Sequence, residues 1–278
     1  MASASKSAVS TSPAARASAS RASSFAMASM AQQRSIGPVR CADPEWAMRL
    51  SPLCLAAAVL AGPATPALAA APACTPPPGL APSPVLDPPA REVVSGVPVA
   101  AYVLALTWTP EWCRAGGAGA TAKEMECGRP LGFTLHGLWP DGAHPPYPRF
   151  CHPAGALDVA TVRSMYCRTP SPVLLQHEWQ AHGTCAAWAT PQAYFGQASA
   201  LYDRIVVPRI ETIPANGLTA GAVRAAFVSK NPWLTAEEIF IQSQRDDQDA
   251  LSGVRVCYDL KFKPVAVRAA MARRTARG

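Results

Sequence analysis

The sequence predicts an α+β domain between about residue 99 and residue 264, on three observations. Short apolar runs of strand character open the region, helix-start signals recur through its middle, and two further strand-like runs close it side by side. Strands that neighbour one another at the end do not fit a regular doubly wound sheet, which alternates strand and helix throughout. No internal repeat is present.

Taken in order, Val99 to Trp108 is a nearly continuous apolar run ending at Thr109-Pro110, as expected of a strand buried on both faces. Gly132 to His136 reads as a second strand, whose alternation puts Phe133 and Leu135 on one face and Thr134 and His136 on the other. His136 should therefore leave the sheet opposite the core, with a sharp bend at Gly137 and Pro140. Asp158 to Tyr166 predicts a short helix. Pro172 suits a first helical turn and opens a second over Val173 to Trp188. Thr190-Pro191 caps a third, in which Tyr194, Ala198, Leu201 and Ile205 repeat at helical intervals. Thr219 caps a fourth that stops at Asn231-Pro232. Ile239 to Gln244 and Val254 to Leu260 are strands around an Asp-rich turn, with Val254, Val256 and Tyr258 on one face.

The 278 residues, 49% of them hydrophobic, can bury one good-sized core. Residues 1–47 are dominated by Ala and Ser and read as unstructured, either a gene-prediction extension ahead of Met48 or an organelle-targeting segment. Residues 48–69 carry a charged start, a greasy middle and Ala67-Leu68-Ala69, the order of a secretory signal peptide. The apolar run is about half the roughly 20 residues a bilayer requires, and Pro63 and Pro66 break it, so no membrane span is expected. Residues 70–98 are a Pro-rich lead-in, 99–264 the folded domain and 265–278 an Arg-rich tail. An exported chain, periplasmic or extracellular, is the expectation.

The formal charge of +7 does not by itself point to nucleic acid, because it sits at the ends. Residues 70–267 hold 15 basic and 16 acidic side chains, so no general electrostatic pull on RNA follows. Cys41 and Cys54 precede the expected cleavage site, which leaves Cys74, Cys113, Cys127, Cys151, Cys167, Cys185 and Cys257. In an exported chain these read as a disulfide framework with one thiol left over, and Cys113 to Cys127 would close a short loop cheaply.

All five histidines, His136, His144, His152, His177 and His182, fall within 47 residues. That clustering favours function over five unrelated surface or core histidines. His177-Glu178 followed by His182 resembles a zinc-binding helix at a glance, but its histidines are at i and i+5, about 140° apart on a helix, where that motif needs i and i+4. Glu178 and His182 do sit at i and i+4, so a carboxylate could orient an imidazole for acid–base work. The plainer alternative is a surface ion pair. His136, at a strand end before Gly137 and Trp139, could place a proton donor beside a stacking surface, although Trp139 and Pro140 could equally be packing.

Phe133-Thr134-Leu135-His136-Gly137-Leu138-Trp139-Pro140 and His177-Glu178-Trp179-Gln180-Ala181-His182-Gly183-Thr184-Cys185 closely resemble the two active-site segments of the ribonuclease T2 family. Looser likeness runs from Leu104 to about Tyr258. The resemblance implies a central antiparallel sheet flanked by helices. It also implies cleavage of single-stranded RNA through a 2',3'-cyclic phosphate; the enzyme expected is metal-independent and monomeric, with no cofactor and no obligatory protein partner. It assigns His182 as base, His136 as acid, His177 to the phosphate and Glu178 to assistance of the second segment. Trp139, Asp141 and Tyr147 match base-holding positions, and Cys151 and Cys185 match a bridge between the segments.

Two departures stand against the pattern. Ala181 replaces a usual Lys, a cation expected to stabilise the transition state, with Arg149 and Arg168 as candidate substitutes. After Lys263-Pro264 a further cysteine and strand are expected, so Cys257 should lack its usual partner. A weak or inactive RNA-binding protein of the same fold is the rival function, and a metal hydrolase a third.

Overall fold

The computed structural model describes residues 39–41, 74–115, 126–214, 217–243 and 250–269. The expected signal peptide lies outside the described residues. The main sheet is antiparallel throughout, built from β2 (Ala101–Trp108), β3 (Phe133–Asp141), β4 (Ile239–Ser243) and β5 (Leu251–Tyr258), in the order β3-β2-β5-β4. A small ribbon joins β1 (Val39–Cys41) to β6 (Val267–Ala269). Five α-helices stand among the described residues: α1 (Thr109–Arg114), α2 (Val159–Met165), α3 (Pro172–Ala181), α4 (Pro191–Asp203) and α5 (Ala220–Lys230). This is the α+β class that the sequence predicts.

Local chemistry explains the helix starts. Asp158, Ser171, Thr190 and Thr219 each accept a hydrogen bond from the backbone N–H three residues on, which satisfies a donor the helix leaves orphaned. Alternation along the strands divides the interior. Leu104, Leu106, Phe133, Leu135, Val254 and Val256 point into the main core with Leu175, Tyr194, Leu201, Val223 and Phe227 from the helices. Val103 and Cys257 point the other way, into a smaller cluster with Trp139, Phe240, Val265 and Val267.

Three elements depart from the expectation. β3 does not bend at Gly137 but continues to Asp141; it is an edge strand, where Pro140 removes no inner ladder bond. α3 stops at Ala181 rather than running to Trp188, and a 3₁₀ turn follows over Gly183–Cys185. The short helix α1, with its early Pro110, was not foreseen. The described part of the Pro-rich lead-in, with a 3₁₀ turn at Ala90–Glu92, is bound down: Leu80 and Leu86 are buried, and Val94 pairs with Arg149 in an isolated bridge.

Four disulfides are present among the described residues. Cys113–Cys127 is the short-loop bridge and Cys151–Cys185 the one implied by the resemblance. Cys74–Cys167 ties the lead-in to the end of α2. Cys41–Cys257 corrects the expectation that Cys41 falls outside the disulfide framework and that Cys257 lacks a partner. The physical reason is the second face of the sheet, whose apolar residues around the fully buried Cys257 are covered by Cys41, Val265 and Val267. Parts of both the unstructured-looking N-terminal segment and the Arg-rich tail are thereby drawn into structure. Among the described residues no helix is long and apolar enough to cross a membrane.

Candidate active site

His136 owes its direction to a break in pairing. Ala105 faces Gly137 and Leu106 faces Leu135, so His136 is an extra residue in β3 with no partner of its own on β2. Such a bulge re-aims a side chain without ending the strand. The ring's Nδ1 lies 2.9 Å from Thr107 Oγ1 on β2, and its Nε2 lies 3.2 Å from Glu178 Oε1 on α3. Glu178 is 1% exposed, and its Oε2 accepts a 2.8 Å hydrogen bond from Trp139 Nε1. A side chain on Gly137 would overlap that carboxylate, so the close approach of α3 to β3 requires glycine there.

α3 is polar yet buried from Leu175 to Ala181, which is possible because its amides are satisfied. Gln176 Nε2 donates to Gln180 Oε1, and Gln180 exchanges hydrogen bonds with both backbone groups of Leu86 in the lead-in. His182 follows the last helical residue. Its φ of −124° takes it off the helical path, while its N–H still donates to Glu178 O. The i, i+5 separation that would part His177 and His182 on a continuous helix therefore does not apply. Their ligand atoms and one from Glu178 lie within 4.8 Å of one another. The spacing argument against a metal fails for the same reason. These three buried residues form a cluster that could hold an ion.

Glu178 keeps an oxygen within 4.8 Å of a His182 ring nitrogen and also reaches across to the sheet. The carboxylate's hydrogen bond and its ion pair both go to β3, to Trp139 and His136. Trp139 joins the parts. Its ring is edge-on to His136 at 5.3 Å and stacked on His182 at 5.4 Å, so the two histidines cannot be further apart than those spacings together allow. The guanidinium of Arg255 from β5 also lies over the indole, 4.6 Å from its centre. Trp139 thus packs between catalytic candidates and stays partly exposed.

Asp141, at the end of β3, is buried. Burial pushes the Arg255 guanidinium down to about 10, against the opposing pull of Asp141. Tyr147 is half-buried, with its hydroxyl inside. Exposed His144 and His152 stand apart from the group, so three of the five histidines belong to the site. Arg149 enters it, with Nη2 3.5 Å from His177 Nε2, whereas Arg168 is bound to Asp203 and to Ser164 O. Sequence reasoning missed Thr107 and Arg255. A lone Arg inside the apolar run Val254 to Tyr258 was the available signal for the second.

The description Ribonuclease T2 family fits residues 99–265. A "Probable ribonuclease" of Haemophilus influenzae is 28% identical over 178 residues, 60% of each chain. A "Ribonuclease" of Aeromonas hydrophila is 42% identical over 85 residues, 31% of this chain and 37% of that one. The chain therefore spans well under two thirds of the length of these curated relatives. Among solved structures, that of trichomaglin, described as an S-like ribonuclease, matches with a TM-score of 0.48 and 20% identity, covering 60% of this chain and 90% of that one.

Proposed function

This chain belongs to the Ribonuclease T2 family, and on that premise we propose that it is a metal-independent endoribonuclease that cleaves single-stranded RNA by transphosphorylation. His182 takes the proton of the ribose 2'-OH as that oxygen attacks phosphorus. His136 gives a proton to the departing 5'-oxygen, and a 2',3'-cyclic phosphate remains. The observation that carries this assignment is the desolvated Glu178 carboxylate aimed at His136 Nε2. That contact holds the imidazole in one place, as a group that hands over a proton at a fixed oxygen requires. Thr107 on the other ring nitrogen fixes the ring's orientation. Trp139, Asp141 and Tyr147 are assigned to the base. Disulfides support export, to the periplasm or beyond the cell, of a chain that acts as a monomer.

The metal reading has one observation in its favour, the proximity of His177, Glu178 and His182. Glu178, however, already serves Trp139 and His136. Incubating the oxidised full chain with single-stranded RNA in excess EDTA separates the functions. Cleavage that persists and yields cyclic phosphates, and that His182→Ala abolishes, supports the proposal. Cleavage lost to EDTA would establish the metal hydrolase, and no cleavage with or without added metal would leave RNA binding as the function.

A further inference from the structure

Arg149 stands on a short segment anchored at three consecutive residues. Its own N–H and C=O exchange hydrogen bonds with Val94 of the lead-in, at 2.9 and 2.8 Å. The next residue, Phe150, donates its N–H to Ala181 O at the end of α3 and sits at φ +50°, a conformation that side-chain-bearing residues hold only when their surroundings impose it. Cys151 is bridged to Cys185, three residues beyond His182. The guanidinium is steadied over the Phe150 ring, 5.4 Å from its centre, and the same ring meets His177 edge-on at 5.7 Å.

From this geometry we infer that Arg149 grips the scissile phosphate beside His177 and supplies the fixed positive charge of the site. The inference rests on the ribonuclease activity proposed above. A guanidinium is always charged, has only donors and presents them in a planar fork that suits two oxygens of one phosphate. The 3.5 Å separation from His177 Nε2 is long for a closed pair. At that spacing the two groups are neighbours in one wall, and one phosphate oxygen can accept from both. Arg168, the other candidate substitute, is held by Asp203, and Arg255 lies over Trp139. Ala181, fully buried, brings no charge. Arg149 makes and breaks no covalent bond. As negative charge grows on the non-bridging oxygens, its hydrogen bonds to them strengthen.

The test compares the oxidised full chain with Arg149→Gln, Arg149→Lys and Arg149→Ala, on a dinucleoside phosphate in EDTA. Inorganic phosphate serves as the binding probe. Arg149→Gln should lower kcat about 10²- to 10³-fold with a smaller change in KM. Arg149→Lys should keep more activity than Arg149→Gln, and added guanidinium should partly restore Arg149→Ala. Inorganic phosphate should raise the melting temperature of the wild type and not that of Arg149→Gln. Cleavage by Arg149→Gln within threefold of wild type, or equal protection of both by phosphate, overturns the inference. A wild type that cleaves nothing would refute the activity proposal alone, and phosphate protection would still decide the role of Arg149.

Discussion

Gly137→Ala probes the contact on which the assignment of acid and base depends. The added methyl group would occupy the place of the Glu178 carboxylate, which has nowhere to go while 99% covered. Either α3 backs away from β3 or the carboxylate rotates off Trp139 Nε1 and His136 Nε2. Losing a charge-assisted hydrogen bond in a buried setting costs about 2–4 kcal/mol. In a domain of this size that lowers the melting temperature by about 4–16 °C. Without that contact His136 loses a restraint on its orientation, so kcat should fall about 100-fold, the lower end of what a general acid contributes. Gly196→Ala is the control, since a side chain there meets nothing within 4 Å inside α4, and it should melt no lower than wild type. Cyclic-phosphate release from a dinucleoside phosphate, read beside thermal melts, gives both quantities. If Gly137→Ala melts within about 1 °C of wild type and cleaves within twofold, the Glu178–His136 contact does not carry the chemistry assigned to it.

Other consequences can be checked directly. Burial pushes the Glu126 carboxyl from its ordinary 4.5 up to about 7, against the opposing effect of the Trp112 Nε1 hydrogen bond. The folded chain thus holds this proton more tightly than the unfolded one, so stability falls as pH rises from about 4.5 to about 7 and is level above that. Glu126→Gln should therefore stabilise by up to about 3 kcal/mol at pH 8 and by nothing at pH 4; an equal gain at both would refute this origin. Because one imidazole must be neutral and the other charged, kcat/KM should follow a bell in pH, and a flat profile from about pH 4 to about pH 9 would count against paired histidines. Proteolysis of the non-reduced full chain should release a peptide pair joined through Cys41 and Cys257. A free Cys257 thiol in that digest would contradict the pairing.

What the sequence revealed and what it hid divide along the range of the interactions. Asp158, Thr190 and Thr219 announced their helices because a cap is settled within four residues. The early end of α3 could not be read, since apolar spacing continues to Trp188. It depends on Gly183 lying against the Trp179 and Tyr194 rings, and on Trp188 reaching Tyr102. The bulge at His136 is equally invisible locally, because it exists only in the register of β3 against β2. The residues of the site were legible from their motifs, but their partners were not. Glu178 read as a companion of His182 by helical arithmetic, and its contacts with Trp139 and His136 on β3 were not foreseen.

Those hidden features have a common consequence for the site. A histidine on a regular strand and another on a regular helix face point where their own elements dictate, and neither direction is adjustable by tenths of an ångström. The bulge frees His136 from strand alternation, and the end of α3 frees His182 from helical rotation. Freed side chains lose precision unless something else fixes them, since a catalytic group must be held within about half an ångström. Here each histidine is restrained from outside its own element: Thr107 and Glu178 on His136, Trp139 stacked on His182, and the Cys151–Cys185 bridge just beyond. Each restraint belongs to a different segment, so the geometry of the site is complete only when the strands, α3 and the loop carrying Arg149 have all docked. Precision at the site is thus a property of the assembled domain, although each motif names its own residue.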